Sequence, residues 1–331
     1  MVTLDDIRQA QRLLHGVAVR TPLLEYPHTT ADRRLWFKPE SLQPIGAFKL
    51  RGAYNKIASL TAEEKSRGVI TYSSGNHAQG VAYAARAMGV HAVIVMPAGA
   101  PRVKLEGTAA LGAEIVKVGP SSQERHQKAL ELAREHGYVV VPPYDDAHII
   151  AGQGTVGLEI VEDMADVETV LVPIGGGGLS SGVATAIKET DSHIKVIGVE
   201  PDVANDAQQS LKAGRIVQIS GEQTARTIAD GLRTQSIGEL NFAHLSRYLD
   251  GVVTVTEDEI RAAVRESVIG AKLVAEPSGA VTFAAFLFHA QELPAARKTV
   301  AIISGGNIEP QLLAEIVEGK PSHAQSSATH P

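Results

Sequence analysis

Val69-Ile70-Thr71-Tyr72-Ser73-Ser74-Gly75-Asn76-His77 runs directly into the alanine-rich stretch Ala78-Gln79-Gly80-Val81-Ala82-Tyr83-Ala84-Ala85-Arg86-Ala87-Met88-Gly89. The first four residues form a β-branched run of strand length. The segment after the polar turn reads as a helix over 77–88 that stops at glycine. The pattern then repeats. Strands are expected at 91–96, 115–118 and 138–141, separated by a helix that begins near Pro101 and another over 122–136 closed by Gly137. Strands alternating with helices in this way build a parallel sheet with helices on both faces. This unit spans roughly a hundred residues, an ordinary domain size.

A second series follows. Helices are expected at 154–164 and 179–189, with strands at 169–173 and 195–199. After an irregular stretch rich in Gly, Asp and Gln come helices at 257–274 and 278–292 and a strand at 299–303. The last dozen residues, 320–331, are polar and read as a disordered tail. No repeat of solenoid period occurs.

Composition narrows the function. A chain of 331 residues holds two domains or one large α/β unit with a substantial core. It has no cysteine, which removes disulfides, thiolate metal sites, iron–sulfur clusters and thiol nucleophiles together. A net charge of -6 with no Lys/Arg-rich block argues against a nucleic-acid partner. Apolar runs such as Thr299-Val300-Ala301-Ile302-Ile303 are far short of a bilayer span, and the acidic start Met1-Val2-Thr3-Leu4-Asp5-Asp6 lacks signal-peptide character. The expectation is a cytoplasmic protein with no membrane partner. The twelve histidines are scattered without a His-Glu-x-x-His pattern and read mostly as solvated surface residues.

Ligands in open parallel sheets bind beyond the carboxyl ends of strands, and three loops occupy such places. In Gly175-Gly176-Gly177-Gly178-Leu179, successive amides are uncovered by side chains and face the positive end of a helix dipole, which suits a phosphate. Four glycines sacrifice more order than a plain turn requires. The loop lacks the Lys and Ser/Thr of a nucleoside-triphosphate site. Ser73-Ser74-Gly75-Asn76-His77 offers hydroxyls, an amide side chain and backbone amides that suit a carboxylate and a phenolic oxygen, although Ser and Asn also serve as plain helix caps. The third loop is Ser304-Gly305-Gly306-Asn307. By contrast, Gly152-Gln153-Gly154-Thr155-Val156-Gly157 fits a dinucleotide pattern in the wrong context, with no good strand before it, and reads as close helix packing.

Finally, Ile45-Gly46-Ala47-Phe48-Lys49-Leu50-Arg51-Gly52-Ala53 sets one lysine among small and apolar neighbours. Desolvation there lowers an amine pKa and frees it to attack a carbonyl as a Schiff-base nucleophile. Taken alone, the segment reads equally well as a surface lysine beside a turn.

Phe48-Lys49, the Ser-Ser-Gly-Asn-His turn, the tetraglycine loop and the Ser304 loop, in that order, resemble the fold-type II pyridoxal-phosphate enzymes, above all the threonine/serine dehydratase and serine racemase family. The resemblance covers about residues 5–318. It implies an α/β fold of two open, twisted, mostly parallel sheets with helices on both faces, tryptophan synthase β-like. Residues 1–51 and 151–319 would form a large cofactor-binding domain, and 52–150 a small inserted domain that closes on substrate. It also implies pyridoxal 5'-phosphate carried on Lys49, with Phe48 beside the ring, Asn76 at its phenolic oxygen, Gly175, Gly176, Gly177, Gly178 and Leu179 at the phosphate, and Ser304 at the ring nitrogen. Ser73, Ser74, Gly75, Asn76 and His77 would receive the substrate carboxylate, and Ser74 would work on the opposite ring face from Lys49.

Glu200, Ala204 and Asp206 resemble the family's divalent-cation site, suited to Mg2+ or Ca2+. The implied reaction is elimination of water from L-threonine or L-serine to a 2-oxo acid and ammonia. Serine racemisation and 3-hydroxyaspartate dehydration are alternatives, and a non-catalytic amino-acid binder would leave Lys49 and Ser74 without a task. A homodimer is implied as the assembly. Two departures stand out. Ile45-Gly46-Ala47 replaces the family's common Thr-Gly-Ser and loses two hydroxyls, and no C-terminal regulatory domain is expected.

Overall fold

The structure, a computed structural model, describes residues 1–73, 75–100, 102–119 and 122–319. Ser74, Pro101 and the expected tail at 320–331 lie outside the described residues. Two sheets organise the chain.

The smaller sheet orders its strands as Glu114–Val118, Ala92–Pro97, Val69–Tyr72 and Val139–Val140, all parallel. The chain moves outward from Val69–Tyr72 on one side and returns to pair on the other. Its loop 73–77 therefore leaves at a topological switch point, where a crevice opens. The larger sheet runs Leu24–Glu25, Arg34–Pro39, Lys298–Ile303, Thr169–Pro173, Lys195–Pro201 and Gly251–Val255, with only the first pair antiparallel. Its switch point falls between Thr169–Pro173 and Lys298–Ile303. The glycine loop and the Ser304 loop thus leave side by side. All five residues of Thr169–Pro173 are buried, as expected for a strand covered by helices on both faces.

Helix boundaries follow local chemistry. Thr3 with Asp6, Thr61 with Glu64 and Thr256 with Glu259 form reciprocal capping boxes. Pro277 opens Pro277–Phe288, where its missing N–H costs nothing. The helix expected at 154–164 is longer, Ala147–Asp163, because Asp146 caps it by accepting from the amides of His148 and Ile149. Its internal glycines are contact points. A Cβ on Gly152 would lie 2.6 Å from the Arg51 carbonyl, one on Gly154 2.7 Å from Ile7 Cδ1, and one on Gly157 2.8 Å from the Val183 carbonyl. Close helix packing is therefore what this motif serves.

Some expected elements differ. The helix begun at Glu257 ends at Ile269 rather than 274, and Lys272 then adopts a left-handed φ of 57° as the chain turns toward Glu276. The last long helix stops at Phe288, not 292. The stretch read as irregular contains Asp206–Ala213, Glu239–Tyr248 and the sheet-edge strand Gly251–Val255. Before Val69, Leu4–Leu14 and Arg34–Pro39 add a helix and a strand to those expected, and Ile7, Ala10 and Leu14 form the buried face of that helix at helical spacing. No helix among the described residues is long and apolar enough to cross a membrane.

Candidate active site

Lys49 opens the helix Lys49–Ala58. The preceding residues are sewn to the Ser304 loop: Ala47 and Gly305 form an antiparallel bridge, and the Phe48 amide donates to the Ser304 carbonyl at 3.0 Å. Helix Asn76–Ala87 presses on the same point, since a Cβ on Gly80 would sit 3.0 Å from the Lys49 carbonyl. Two residues on, the buried Arg51 guanidinium meets Glu40 and Glu159, each at 2.7 Å. A buried cation so paired is costly to dislodge, which anchors the helix start.

The amine itself is unusual. Lys49 Nζ donates to the Pro143 carbonyl at 2.7 Å and lies 5.1 Å from the centre of the Phe48 ring. Burial pulls its pKa down to about 8. A position at the positive end of a helix dipole works in the same direction.

Across the cavity, the glycine loop leads from Thr169–Pro173 into Gly178–Thr190. Gly177 has a φ of 96°, and a Cβ on Gly176 would lie 2.3 Å from the ring atoms of Tyr144. These glycines therefore serve close approach as well as bare amides. The first amides of the helix have no intrahelical acceptor, and the loop residues that carry them line the cavity.

The turn after Tyr72 supplies the third wall. Ser73 Oγ accepts from the Gly75 amide at 3.3 Å. His77 is buried, and its Nε2 lies 3.0 Å from the Val141 carbonyl, so its ring donates there rather than to a ligand. Burial, reinforced by the Lys49 charge, pushes its pKa down to about 3 and keeps it neutral. Only its backbone amide, at the helix start, remains for a carboxylate. Asn76 Nδ2 donates to Glu276 Oε1 at 2.6 Å, and its Oδ1 accepts from Asn307 Nδ2 at 2.8 Å. Ser304 is 97 % buried and lines the same cavity.

The cavity has a volume of about 670 Å³. It joins an amine, bare amides, an aromatic ring and a hydroxyl, which are the groups that a phosphorylated aromatic aldehyde requires. Sequence reasoning missed Pro143, Tyr144, Glu276 and Arg125, which also line it. Glu276-Pro277 at a helix start was the one local signal available for Glu276. Ile45 and Ala47, which stand where hydroxyls are common in the resembled family, are buried.

Glu200, Ala204 and Asp206 lie together at the carboxyl end of strand Lys195–Pro201, the sheet end from which the glycine loop also leaves. Glu200 Oε1 and Oε2 accept from the amides of Ala207 and Gln208 at 3.0 and 2.8 Å. Burial, together with the Asp206 charge, raises the Glu200 carboxyl well above the ordinary carboxylate range. Asp206 is buried with neither carboxylate oxygen hydrogen-bonded, and burial raises it to about 7. Two buried, adjacent acids, of which Asp206 has unpartnered oxygens, fit a hard divalent cation. Among the described residues no cluster of three His, Asp or Glu side chains exists, so a backbone carbonyl would have to complete the set.

Comparison with known proteins agrees with this geometry. A family model described as pyridoxal-phosphate dependent enzyme matches residues 15–305. The L-threonine ammonia-lyase of Thermotoga maritima is 46% identical over 321 residues, 96% of this chain and 78% of that protein. The L-threo-3-hydroxyaspartate ammonia-lyase of Saccharomyces cerevisiae is 40% identical over 321 residues, covering 96% of this chain and 97% of that one. Among solved structures, maize serine racemase superposes with a TM-score of 0.90 at 36% identity, covering 99% of both chains.

Proposed function

The chain belongs to the pyridoxal-phosphate dependent enzymes, and on that premise we propose that it eliminates water from a β-hydroxy amino acid, L-threonine or L-serine, to give a 2-oxo acid and ammonia. The observation that carries this reading is the Lys49 amine, lowered to about 8 and facing a cavity walled by bare amides.

When bound, pyridoxal 5'-phosphate supplies a carbonyl for amine exchange and a ring that accepts an electron pair. The amides of 175–179 would hold its phosphate, and Asn76 would present an N–H to its phenolic oxygen. Ser304 presents a hydroxyl to its ring nitrogen. A hydroxyl, unlike a carboxylate, does not favour protonation there, so charge on the substrate is only partly dispersed and prompt loss of the β-hydroxyl is favoured. The turn 73–77 orients the substrate carboxylate. Lys49 Nζ, once released, takes the Cα proton, which is then at hand for the departing hydroxyl to leave as water. Ser74 would supply the second proton-transfer group that racemisation requires.

A second substrate reading has its own support. The half-buried Arg125 lines the cavity, and a guanidinium there would favour the extra carboxylate of 3-hydroxyaspartate. A panel of threonine, serine and 3-hydroxyaspartate assayed for 2-oxo acid release, with chiral analysis of recovered serine, tests all three activities. No 2-oxo acid from any of them would refute the elimination.

We also infer a Mg2+ or Ca2+ site at Glu200, the Ala204 carbonyl and Asp206, supported by the orphaned Asp206 oxygens. Residues 52–150 are read as a small domain inserted between 1–51 and 151–319, because all four small-sheet strands fall between Val69 and Val140. Closure of that domain on a substrate analogue would shrink the small-angle scattering radius, and an unchanged radius would count against it. The absence of cysteine fits the cytoplasm. A homodimer, with exposed Ile269, Val274 and Phe288 as candidates for burial, is testable by sedimentation.

A further inference from the structure

The two ends of an asparagine amide have nearly the same shape and opposite hydrogen-bonding polarity, so an asparagine in a binding site can present either one. At Asn76 the neighbours decide. Asn307 Nδ2 donates to the Ile45 carbonyl at 2.8 Å and to Asn76 Oδ1 at 2.8 Å. Both of its protons are committed, and Ile45, a carbonyl, can only accept. The Asn76 atom that faces Asn307 must therefore be the oxygen. On the other side, Asn76 Nδ2 donates to Glu276 Oε1 at 2.6 Å. The Ile45 carbonyl thus fixes Asn307, which donates both to Ile45 and to Asn76, and Asn76 in turn donates to Glu276. Reversing Asn76 would set oxygen against a buried carboxylate and leave donors facing one another.

The surroundings hold this relay in place. Gly306 donates to the Gly46 carbonyl at 2.9 Å, and Glu276 donates from its backbone to the Gly305 carbonyl at 3.0 Å. Gly46 has a φ of 70°, and a Cβ there would collide with Asn307 Oδ1. The relay joins the segment that delivers Lys49, the loop that carries Ser304 and the helix that begins at Asn76.

We propose that Glu276 and Asn307 are positioning residues that fix which end of the Asn76 amide meets the cofactor, an inference that rests on Asn76 contacting pyridoxal phosphate. The relay uses one proton of Asn76 Nδ2 and leaves the other for the phenolic oxygen.

Asn307→Asp preserves shape and replaces two donor protons with lone pairs, which turns Asn76 around. In purified holoenzyme, the dissociation constant for pyridoxal phosphate should weaken about tenfold or more, the visible absorption band should shift, and the thermal midpoint should fall. Adding Glu276→Gln supplies a donor for the reversed Asn76 oxygen. The double variant should regain part of its thermal midpoint and keep the weak affinity and shifted band of Asn307→Asp. A purely structural relay would restore all three together, and that result overturns the proposal, as does an unchanged band and affinity in Asn307→Asp. Asn76→Ala separates the premise from the inference. If it alters neither band nor affinity, Asn76 does not touch the cofactor and the proposal falls with its premise; if it alters both while Asn307→Asp alters neither, only the positioning role is lost.

Discussion

Lys49 Nζ donates a 2.7 Å hydrogen bond to the carbonyl of Pro143, 94 residues further along the chain. The partner is neutral, so it orients the amine without stabilising its charge as a carboxylate would. Burial then acts unopposed, and the pKa falls from 10.5 to about 8.

That fall sets a pH dependence. The neutral amine attacks an aldehyde, and its fraction rises with pH until the pKa is passed. Reconstitution of cofactor-stripped protein with pyridoxal phosphate should accelerate about tenfold per pH unit below 8 and level off above it. An inflection near 10.5 would show that Lys49 is solvated in solution. Borohydride reduction followed by peptide mass spectrometry should place the label on Lys49 and no other lysine.

Ser304 and Ser74 should separate by reaction. Ser304→Ala should weaken cofactor retention and slow every reaction, because it changes the contact at the ring nitrogen. Ser74→Ala should remove racemisation, by on the order of a hundred-fold or more, while sparing part of the elimination, since Lys49 alone can deprotonate an L-substrate. Loss of L-serine elimination with racemisation retained would instead make Ser74 a carboxylate ligand or helix cap.

Asp206 links metal and pH. Its carboxyl titrates near 7 in the folded protein against an ordinary 3.8. The folded chain therefore holds this proton more tightly than the unfolded chain does. In chelator, its contribution to stability should diminish as pH rises from about 4 to about 7. The thermal midpoint of Asp206→Asn should overtake that of the wild type over the same range. Mg2+ or Ca2+ should raise the wild-type midpoint most above pH 7 and leave Asp206→Asn unmoved; equal responses in both proteins would argue against the site.

Arg125 tests substrate class. Arg125→Ala should lower kcat/KM for 3-hydroxyaspartate by about ten- to a hundred-fold, the worth of a charge-assisted hydrogen bond. Threonine and serine should change little. Equal losses on all three would make Arg125 a structural residue of the cavity wall.

Much of the architecture is local and was legible. Val69–Tyr72 and Thr169–Pro173 are strands because short β-branched runs end at polar or glycine turns, and those turns mark where ligands enter. The edge strand Gly251–Val255 carries the same β-branched signal in Val252-Val253-Thr254-Val255, whereas the helix Glu239–Tyr248 beside it mixes polar and apolar residues and was not legible. The helix Glu257–Ile269 shows the same limit, since it stops at Gly270 and Lys272 takes its left-handed φ only after the helix has ended.

The site divides along the same line. Lys49, the glycine loop and Ser304 could be picked out from the sequence because each chemistry needs a residue type in a local setting: an amine among apolar neighbours, bare amides before a helix, a hydroxyl after a strand. Tertiary structure decided what each of them faces. It set Pro143 against Lys49, committed the His77 ring to Val141, and brought Glu276 and Asn307 to Asn76 from 200 and 231 residues away. Desolvation and hydrogen-bond direction depend on every group around an atom, and most of those groups are neighbours only after the chain has folded.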